Sequence, residues 1–268
     1  MNARELSGKV AVITGGGGVL CSVMAQALAQ AGARVAVLDL RDEAAKAAAK
    51  TCGRRALGLA ANVLERASLQ AAHAVIRKQL GPVDILVNGA GGNHPRATTN
   101  PEQSFFDLDP DAFAKVFQLN IIGTVLPCQV FCRDMTKRKT GVVINIASMN
   151  AFRPLTRIAA YSAAKAAVKN FTEWLAVHMA QEYSPRIRVN AIAPGFFLTA
   201  QNRFLLEDEK TGKPTPRGQS ILRATPQARY GEPADLVSTL LWLCSSASSF
   251  VTGVTVPVDG GFNAFSGV

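Results

Sequence analysis

The sequence predicts an α/β fold: one domain built on a seven-stranded parallel sheet, doubly wound, with helices on both faces. Three observations carry this. Short β-branched runs alternate with longer helical stretches along the whole chain. The runs are almost continuously apolar, as strands buried on both faces are. The 268 residues are 48% apolar and 18% charged, a globular composition with enough chain for a large core and no need of a metal or disulfide staple.

Lys9 to Thr14 (KVAVIT) is the first strand, followed by a glycine cluster and a helix over Val19 to Ala31. Arg34 to Asp39 (RVAVLD) is the second, with an Ala/Lys-rich helix over 42–52 behind it. Ala56 to Asn62 is a weaker third strand, followed by a helix over Glu65 to Leu80. Val83 to Asn88 (VDILVN) is the fourth. Asp111 to Lys139 reads as one long helix with an irregularity at Gly123 and Pro127, and Gly141 to Ala147 as the fifth strand. An Ala-rich helix over Ile158 to Tyr183 precedes the sixth strand, Arg186 to Ala193, and Val254 to Val258 is the seventh. Two stretches break the alternation, Gly89–Gln103 and Gly195–Gln219. Both follow strand C-terminal ends, where open α/β sheets bind ligands, so 195–219 is expected to form a substrate lid within a domain that spans 1–268.

Composition narrows the function classes. Five cysteines (Cys21, Cys52, Cys128, Cys132, Cys244) make an odd set without a CxxC pair, which argues for reduced thiols and against a disulfide framework or zinc site. Three scattered histidines argue against a metal centre. The net charge of +10 is spread along the chain, its longest cluster being Lys137-Arg138-Lys139, so no nucleic-acid partner is expected. Leu236 to Val258 is uncharged, but its Ser, Thr, Gly and Pro content reads as a helix, a polar loop and a strand, and no membrane partner is expected. The start, MNARELSGKV, lacks the apolar core of a signal peptide, and a cytoplasmic location is expected.

The first strand ends in Thr14-Gly15-Gly16-Gly17-Gly18 and runs into a helix. Glycines there let backbone N–H groups approach a pyrophosphate, and the helix N-terminus favours the anion. Asp39 closes the second strand about 20 residues further on, where a carboxylate can accept hydrogen bonds from ribose hydroxyls and repel a 2′-phosphate. Tyr161 and Lys165 share a helix face. A free tyrosine titrates near pH ~10, and an ammonium beside it is expected to lower that value. Ser148, at the end of the fifth strand, can hold a substrate oxygen beside the tyrosine.

With Asn88-Gly89-Ala90-Gly91, Asn120, Asn190-Ala191-Ile192-Ala193-Pro194-Gly195 and Val258-Asp259-Gly260-Gly261, these pieces resemble the short-chain dehydrogenase/reductase family from end to end. The resemblance implies a Rossmann fold and NAD(P)-dependent interconversion of carbonyl and alcohol. It implies that Tyr161 is the general acid/base, that Ser148 orients the substrate oxygen, that Lys165 binds the nicotinamide ribose and lowers the tyrosine pKa, and that Asn120 supports a relay water near Lys165. It places the cofactor against Gly15, Gly17, Gly18, Val19, Leu20, Asp39, Asn62, Val63, Asn88, Gly89, Ala90, Tyr161, Lys165, Pro194, Gly195, Phe197 and Thr199, and it implies a homotetramer. Three motifs depart from the family pattern. Val19 and Cys21 stand where its second and third motif glycines fall when counted without gaps, the usual Asn-Asn-Ala-Gly reads Asn-Gly-Ala-Gly, and Asn62 replaces an aspartate.

Longer strings resemble a narrower branch of that family, the D-mannonate oxidoreductases or fructuronate reductases: Gly17-Gly18-Val19-Leu20, Gly91–Pro95, Ser104–Leu108, Ser148–Arg157 and Phe196–Thr199. This implies NAD-linked reduction of D-fructuronate to D-mannonate, with NAD preferred to NADP. An anionic sugar acid needs a cation at its carboxylate. Arg153 and Arg157, between Ser148 and Tyr161, are candidates, with Arg203 in the lid. Asn93, His94 and Asn150 are candidate partners of the substrate hydroxyls. Gluconate 5-dehydrogenase, a 3-oxoacyl thioester reductase and a dinucleotide-sensing regulator are the alternatives. Asp39 and the polar loops speak against the acyl reductase, and the presence of both Tyr161 and Lys165 speaks against the regulator.

Overall fold

The computed structural model describes residues 5–199, 203–208 and 211–267. Seven strands form one parallel sheet: β1 (Val10–Thr14), β2 (Arg34–Asp39), β3 (Leu57–Ala60), β4 (Ile85–Asn88), β5 (Gly141–Ile146), β6 (Ile187–Pro194) and β7 (Thr255–Val258). Their order is β3-β2-β1-β4-β5-β6-β7. The chain winds outward from β1 through β2 to β3, then crosses back to β4 on the other side of β1. Thr14 is paired with Leu38 on one side and Asn88 on the other. The C-terminal ends of β1 and β4 are therefore the switch point at which a crevice opens.

Alternate residues of each strand feed two cores, which is why the strands read as unbroken apolar runs. Val10 and Val12 face a cluster with Leu69, Ile76, Phe131 and Met135, supplied by α3 (Arg66–Gln79) and α5 (Gly123–Arg138). Ala11 and Ile13 face Met24, Leu28, Leu240 and Leu243, from α1 (Val19–Gln30) and α9 (Val237–Cys244). Helix α2 (Asp42–Thr51) opens on Asp42 and Glu43 and ends on Lys50, in line with its dipole.

The long predicted helix over 111–139 is present in two parts. Helix α4 (Pro110–Phe117), capped by the Asp109 carboxylate, runs into a single π-helical turn, Gln118–Ile122, and then into α5. The sequence irregularity at Gly123 and Pro127 marks the end of this wide turn. A second π turn, Met179–Tyr183, closes the helix predicted over 158–183, so its α-helical part, α6, is Ala159–His178. The stretch 195–219 is less irregular than its composition implies. It carries a short helix, α7 (Arg203–Leu206), and the start of α8 (Pro216–Arg223), which Thr215 caps. Leu236 to Val258 folds as α9, a polar turn and β7. Among the described residues, the helical stretch Pro110–Arg138 is long and apolar enough to cross a membrane by length and composition, and half of its apolar window is buried inside the fold.

Candidate active site

A cavity of about 450 Å³ opens at the switch point. Gly15, Gly18, Val19, Leu20, Cys21 and Asp39 line one part, Gly89–Gly92 the floor, and Ser148, Tyr161, Lys165, Pro194, Gly195, Phe197 and Thr199 the far part. Gly15 is required by geometry. Its φ is +61°, and a Cβ there would lie 2.8 Å from the Ala90 backbone. The Thr14 hydroxyl ties the two loops together, accepting the N–H groups of Gly89 (3.2 Å) and Ala90 (3.3 Å). Gly18 is the N-cap of α1 and supplies no side chain, and the first turn contains no acid. Its N–H groups remain open to an anion, and the positive end of the helix points at the cavity.

Asp39 closes the other end. One carboxylate oxygen accepts the Gly17 N–H (3.1 Å), and the second accepts the Arg41 N–H (3.1 Å). Each oxygen keeps a lone pair for a hydroxyl ligand. An open helix N-terminus and a carboxylate at the neighbouring strand end form a donor and acceptor set that fits the pyrophosphate and ribose of a dinucleotide.

At the far end, Lys165 is buried and donates to the Ile146 carbonyl at 2.7 Å, and its Nζ lies 5.5 Å from the centre of the Tyr161 ring. The Ser148 and Tyr161 hydroxyls line the same part of the cavity. The π turn sets Asn120 inside, where Nδ2 donates to the carbonyls of Gly92 (2.7 Å) and Val116 (2.8 Å). A Cβ on Gly91 would fall 2.7 Å from Asn120 Oδ1 and 3.2 Å from Lys165 Nζ. Any side chain at residue 91 would thus crowd both groups.

The electrostatics correct one expectation. Burial pushes the Tyr161 phenol up to about 12, only partly offset by the Ser148 hydrogen bond, and the lysine does not bring it down. Burial also draws Lys165 down to about 8, because desolvation disfavours its charged form. Desolvation dominates both groups, and a spacing rule contains no information about it.

Several residues expected at the site lie outside the cavity lining. Gly17 backs onto Asp39 and α2. The Asn62 side chain folds onto its own turn, bonding Glu65 and the Leu64 N–H, and Val63 packs against Gly123. Asn88 is buried and donates to Asn145 and Cys128. Of the substrate candidates, His94 caps the Pro95–Ala97 turn by accepting the Arg96 N–H, and Asn93 bonds Thr98. Arg153 donates to the Phe265 carbonyl at 2.9 Å, and Arg203 pairs with Glu207 at 2.6 Å. Asn150 is buried, with its amide oxygen and nitrogen both bonded within the protein. Arg157 is exposed, and among the described residues it pairs with no carboxylate. Its φ is +74°, unusual for a side-chain-bearing residue, and its carbonyl accepts the Thr99 N–H at 2.9 Å. Cys21 and Arg41 line the cavity although the motifs do not assign them to it. The signal for Cys21 is its place at a motif glycine.

A doubly wound sheet whose switch-point cavity runs from a carboxylate to a Tyr–Ser–Lys group defines a dinucleotide-dependent oxidoreductase. The chain belongs to the short-chain dehydrogenase family, whose model matches residues 9–210. It is 51% identical over 277 residues to the uncharacterized oxidoreductase UxuB of Bacillus subtilis, covering 99% of this chain and 98% of that one. It is similar to a Haemophilus influenza protein provisionally assigned as a D-mannonate oxidoreductase, crystallised with NAD bound, at 48% identity and a TM-score of 0.93 over 99% of this chain and 98% of that one. It is also 36% identical to 5-keto-D-gluconate 5-reductase of Escherichia coli K12, over 96% of each chain. The chain is therefore an oxidoreductase of alcohol and ketone groups.

Proposed function

We propose that the protein is a cytoplasmic, NAD-dependent oxidoreductase that interconverts D-fructuronate and D-mannonate. The observation that carries this reading is the placement of Tyr161, Ser148 and Lys165 at one end of a cavity whose other end is the Asp39 carboxylate. Bound nicotinamide supplies or accepts the hydride. In reduction, Tyr161 gives its proton to the carbonyl oxygen as the C–O double bond becomes an alcohol, and Ser148 donates a hydrogen bond to the same oxygen. Lys165, drawn down to about 8, can exchange a proton near neutral pH and return one to Tyr161. Asn120 supports a relay water near Lys165, and the absence of a side chain on Gly91 leaves both groups uncrowded. Gly15, Gly18, Val19 and Leu20 hold the pyrophosphate, Asp39 the adenosine ribose, and Gly89, Ala90, Pro194, Gly195, Phe197 and Thr199 the nicotinamide side. The described parts of 195–219 form the lid of the single domain 1–268, and residues 200–202 and 209–210 of that stretch lie outside the described residues. Arg157 is the carboxylate reader, since Arg153 and Arg203 are tied to other groups. Apolar groups left exposed on α6 and the turn after it, Trp174, Val177 and Tyr183, support association between copies, and the family resemblance sets their number at four.

Similarity to 5-keto-D-gluconate 5-reductase supports a second reading, in which the ketone is that of 5-ketogluconate. Steady-state reduction of a panel of keto acids with NADH, with D-fructuronate and 5-ketogluconate included, decides between them. D-Fructuronate should give the highest kcat/KM, and Tyr161→Phe should abolish turnover while NADH still binds. Substantial activity in Tyr161→Phe removes the acid/base assignment.

A further inference from the structure

We infer that Asn150 is a positioning residue that fixes the Ser148 hydroxyl as a hydrogen-bond donor, aimed at Tyr161 in the free protein and at the substrate oxygen during turnover. The inference rests on the roles proposed above for Ser148 and Tyr161.

A serine hydroxyl has one proton to give and two lone pairs to receive with. Ser148 Oγ receives two hydrogen bonds from one residue: the Asn150 backbone N–H at 3.2 Å and the Asn150 Nδ2 at 3.2 Å. Both lone pairs are then engaged. The polar function left to Ser148 is its O–H, in the cavity that it lines together with Tyr161. The amide cannot be turned round. Its other end receives the Leu155 backbone N–H at 3.1 Å and the Ser162 hydroxyl at 3.3 Å. A backbone N–H can only donate, so the atom it meets is the oxygen and the nitrogen must face Ser148. Asn150 and Ser162 are both buried, so water does not compete for these contacts.

The direction matters chemically. A donated O–H stabilises a phenolate on Tyr161 and the oxyanion that develops on a reduced carbonyl, whereas a serine turned to accept would stabilise neither. Asn150 was expected among the residues that touch substrate. Its amide is instead consumed within the protein, and it acts through Ser148.

Asn150→Asp tests the polarity at nearly constant shape. One carboxylate oxygen keeps the Leu155 and Ser162 contacts. The other replaces a donor with an acceptor and draws the Ser148 proton away from Tyr161. With D-fructuronate and NADH, kcat should fall by about 10- to 100-fold. The pH profile of D-mannonate oxidation should move to higher pH, because the phenolate is harder to form. NADH affinity, read by fluorescence, should stay near the wild-type value. In a Ser148→Ala background, Asn150→Asp should cause no further fall in kcat, which separates positioning from general damage to the fold. Wild-type kcat and pH profile in Asn150→Asp, or losses that simply multiply with Ser148→Ala, would overturn the inference. If Tyr161→Phe is inactive while Asn150→Asp behaves as wild type, the inference fails and the catalytic reading stands. If Tyr161→Phe remains active, the catalytic reading itself fails.

Discussion

The thiol of Cys21 fills the space that a side chain on residue 89 would need: a Cβ built on Gly89 would overlap Cys21 Sγ. Two departures from the family pattern, a cysteine at a motif glycine and a glycine at a motif asparagine, are thus a single exchange of volume across the cavity floor. Burial pushes the Cys21 thiol up to about 12, so at neutral pH it is a protonated packing group. Gly89→Ala should lower stability by about 1–3 kcal/mol through overpacking and weaken NADH binding. Cys21→Ala in the same chain should recover part of both losses. Recovery stays partial because the Thr14 carbonyl would still lie 2.9 Å from the new Cβ. Chemical unfolding and NADH titration of the four proteins of this cycle measure the coupling. Strictly additive effects would mean that the two positions are independent.

Asp39 should select NAD(H). Its carboxylate is largely enclosed, and a 2′-phosphate brought against it meets charge repulsion with little solvent to screen it. Asp39→Ala should lower the ratio of kcat/KM for NADH over that for NADPH by about 10- to 150-fold, the worth of one charged hydrogen bond. Arg41, already on the cavity wall, is placed to take the phosphate once the acid is gone. A wild-type protein that prefers NADPH would reverse the assignment.

Lys165 should make stability depend on pH in a defined window. Its pKa is about 8 in the folded chain against 10.5 for a free lysine, so between these values the unfolded chain binds more protons and stability rises with pH. The cost of burying the charge is complete below about 8 and fades towards 10.5. Lys165→Met removes the titration. The stability difference between the variant and the wild type should shrink by about 3 kcal/mol across that window. Parallel stability curves would show that Lys165 is not desolvated in the free protein.

Arg157 combines an exposed guanidinium with a left-handed backbone, between Ser148 and Tyr161. Arg157→Gly removes the cation and relieves the backbone at once, so stability should hold or rise while kcat/KM for the sugar acid falls by about 10- to 150-fold. A neutral ketose should be poor in both proteins and change little. Unaltered discrimination between acid and neutral substrate would place the carboxylate elsewhere.

The succession of strands and helices along the chain and the Tyr161–Lys165 face were legible because hydrophobic runs and a four-residue spacing are local properties. The Asp39 position was legible because strand ends share one side of a parallel sheet. What escaped is long-range. Whether the Arg153 guanidinium is free depends on where Phe265 comes to rest. The direction of a pKa shift depends on how completely a site is enclosed. Asn150 read as a polar residue near the site, and only its four hydrogen bonds reveal that its amide faces inward. The Cys21 anomaly was visible, but its partner Gly89 lies 68 residues away and is joined to it only by the fold.

The wide turn at Gln118–Ile122 also keeps α4 and α5 in phase. Val116 packs beside Ala160 and Ala164, and Cys128 packs on the sheet with Phe131. These two residues are twelve apart in sequence. A regular α-helix would set them about 120° apart around its axis, whereas a turn that absorbs one extra residue reduces this to about 20°. One continuous rod can therefore present a single buried stripe to two different neighbours. Winding the turn into regular α-helix with every residue kept would swing the α5 stripe about 100° off the sheet, and it would carry the Asn120 amide away from Gly92 in the same movement. Helix phase and the placement of Asn120 therefore depend on the same inserted residue.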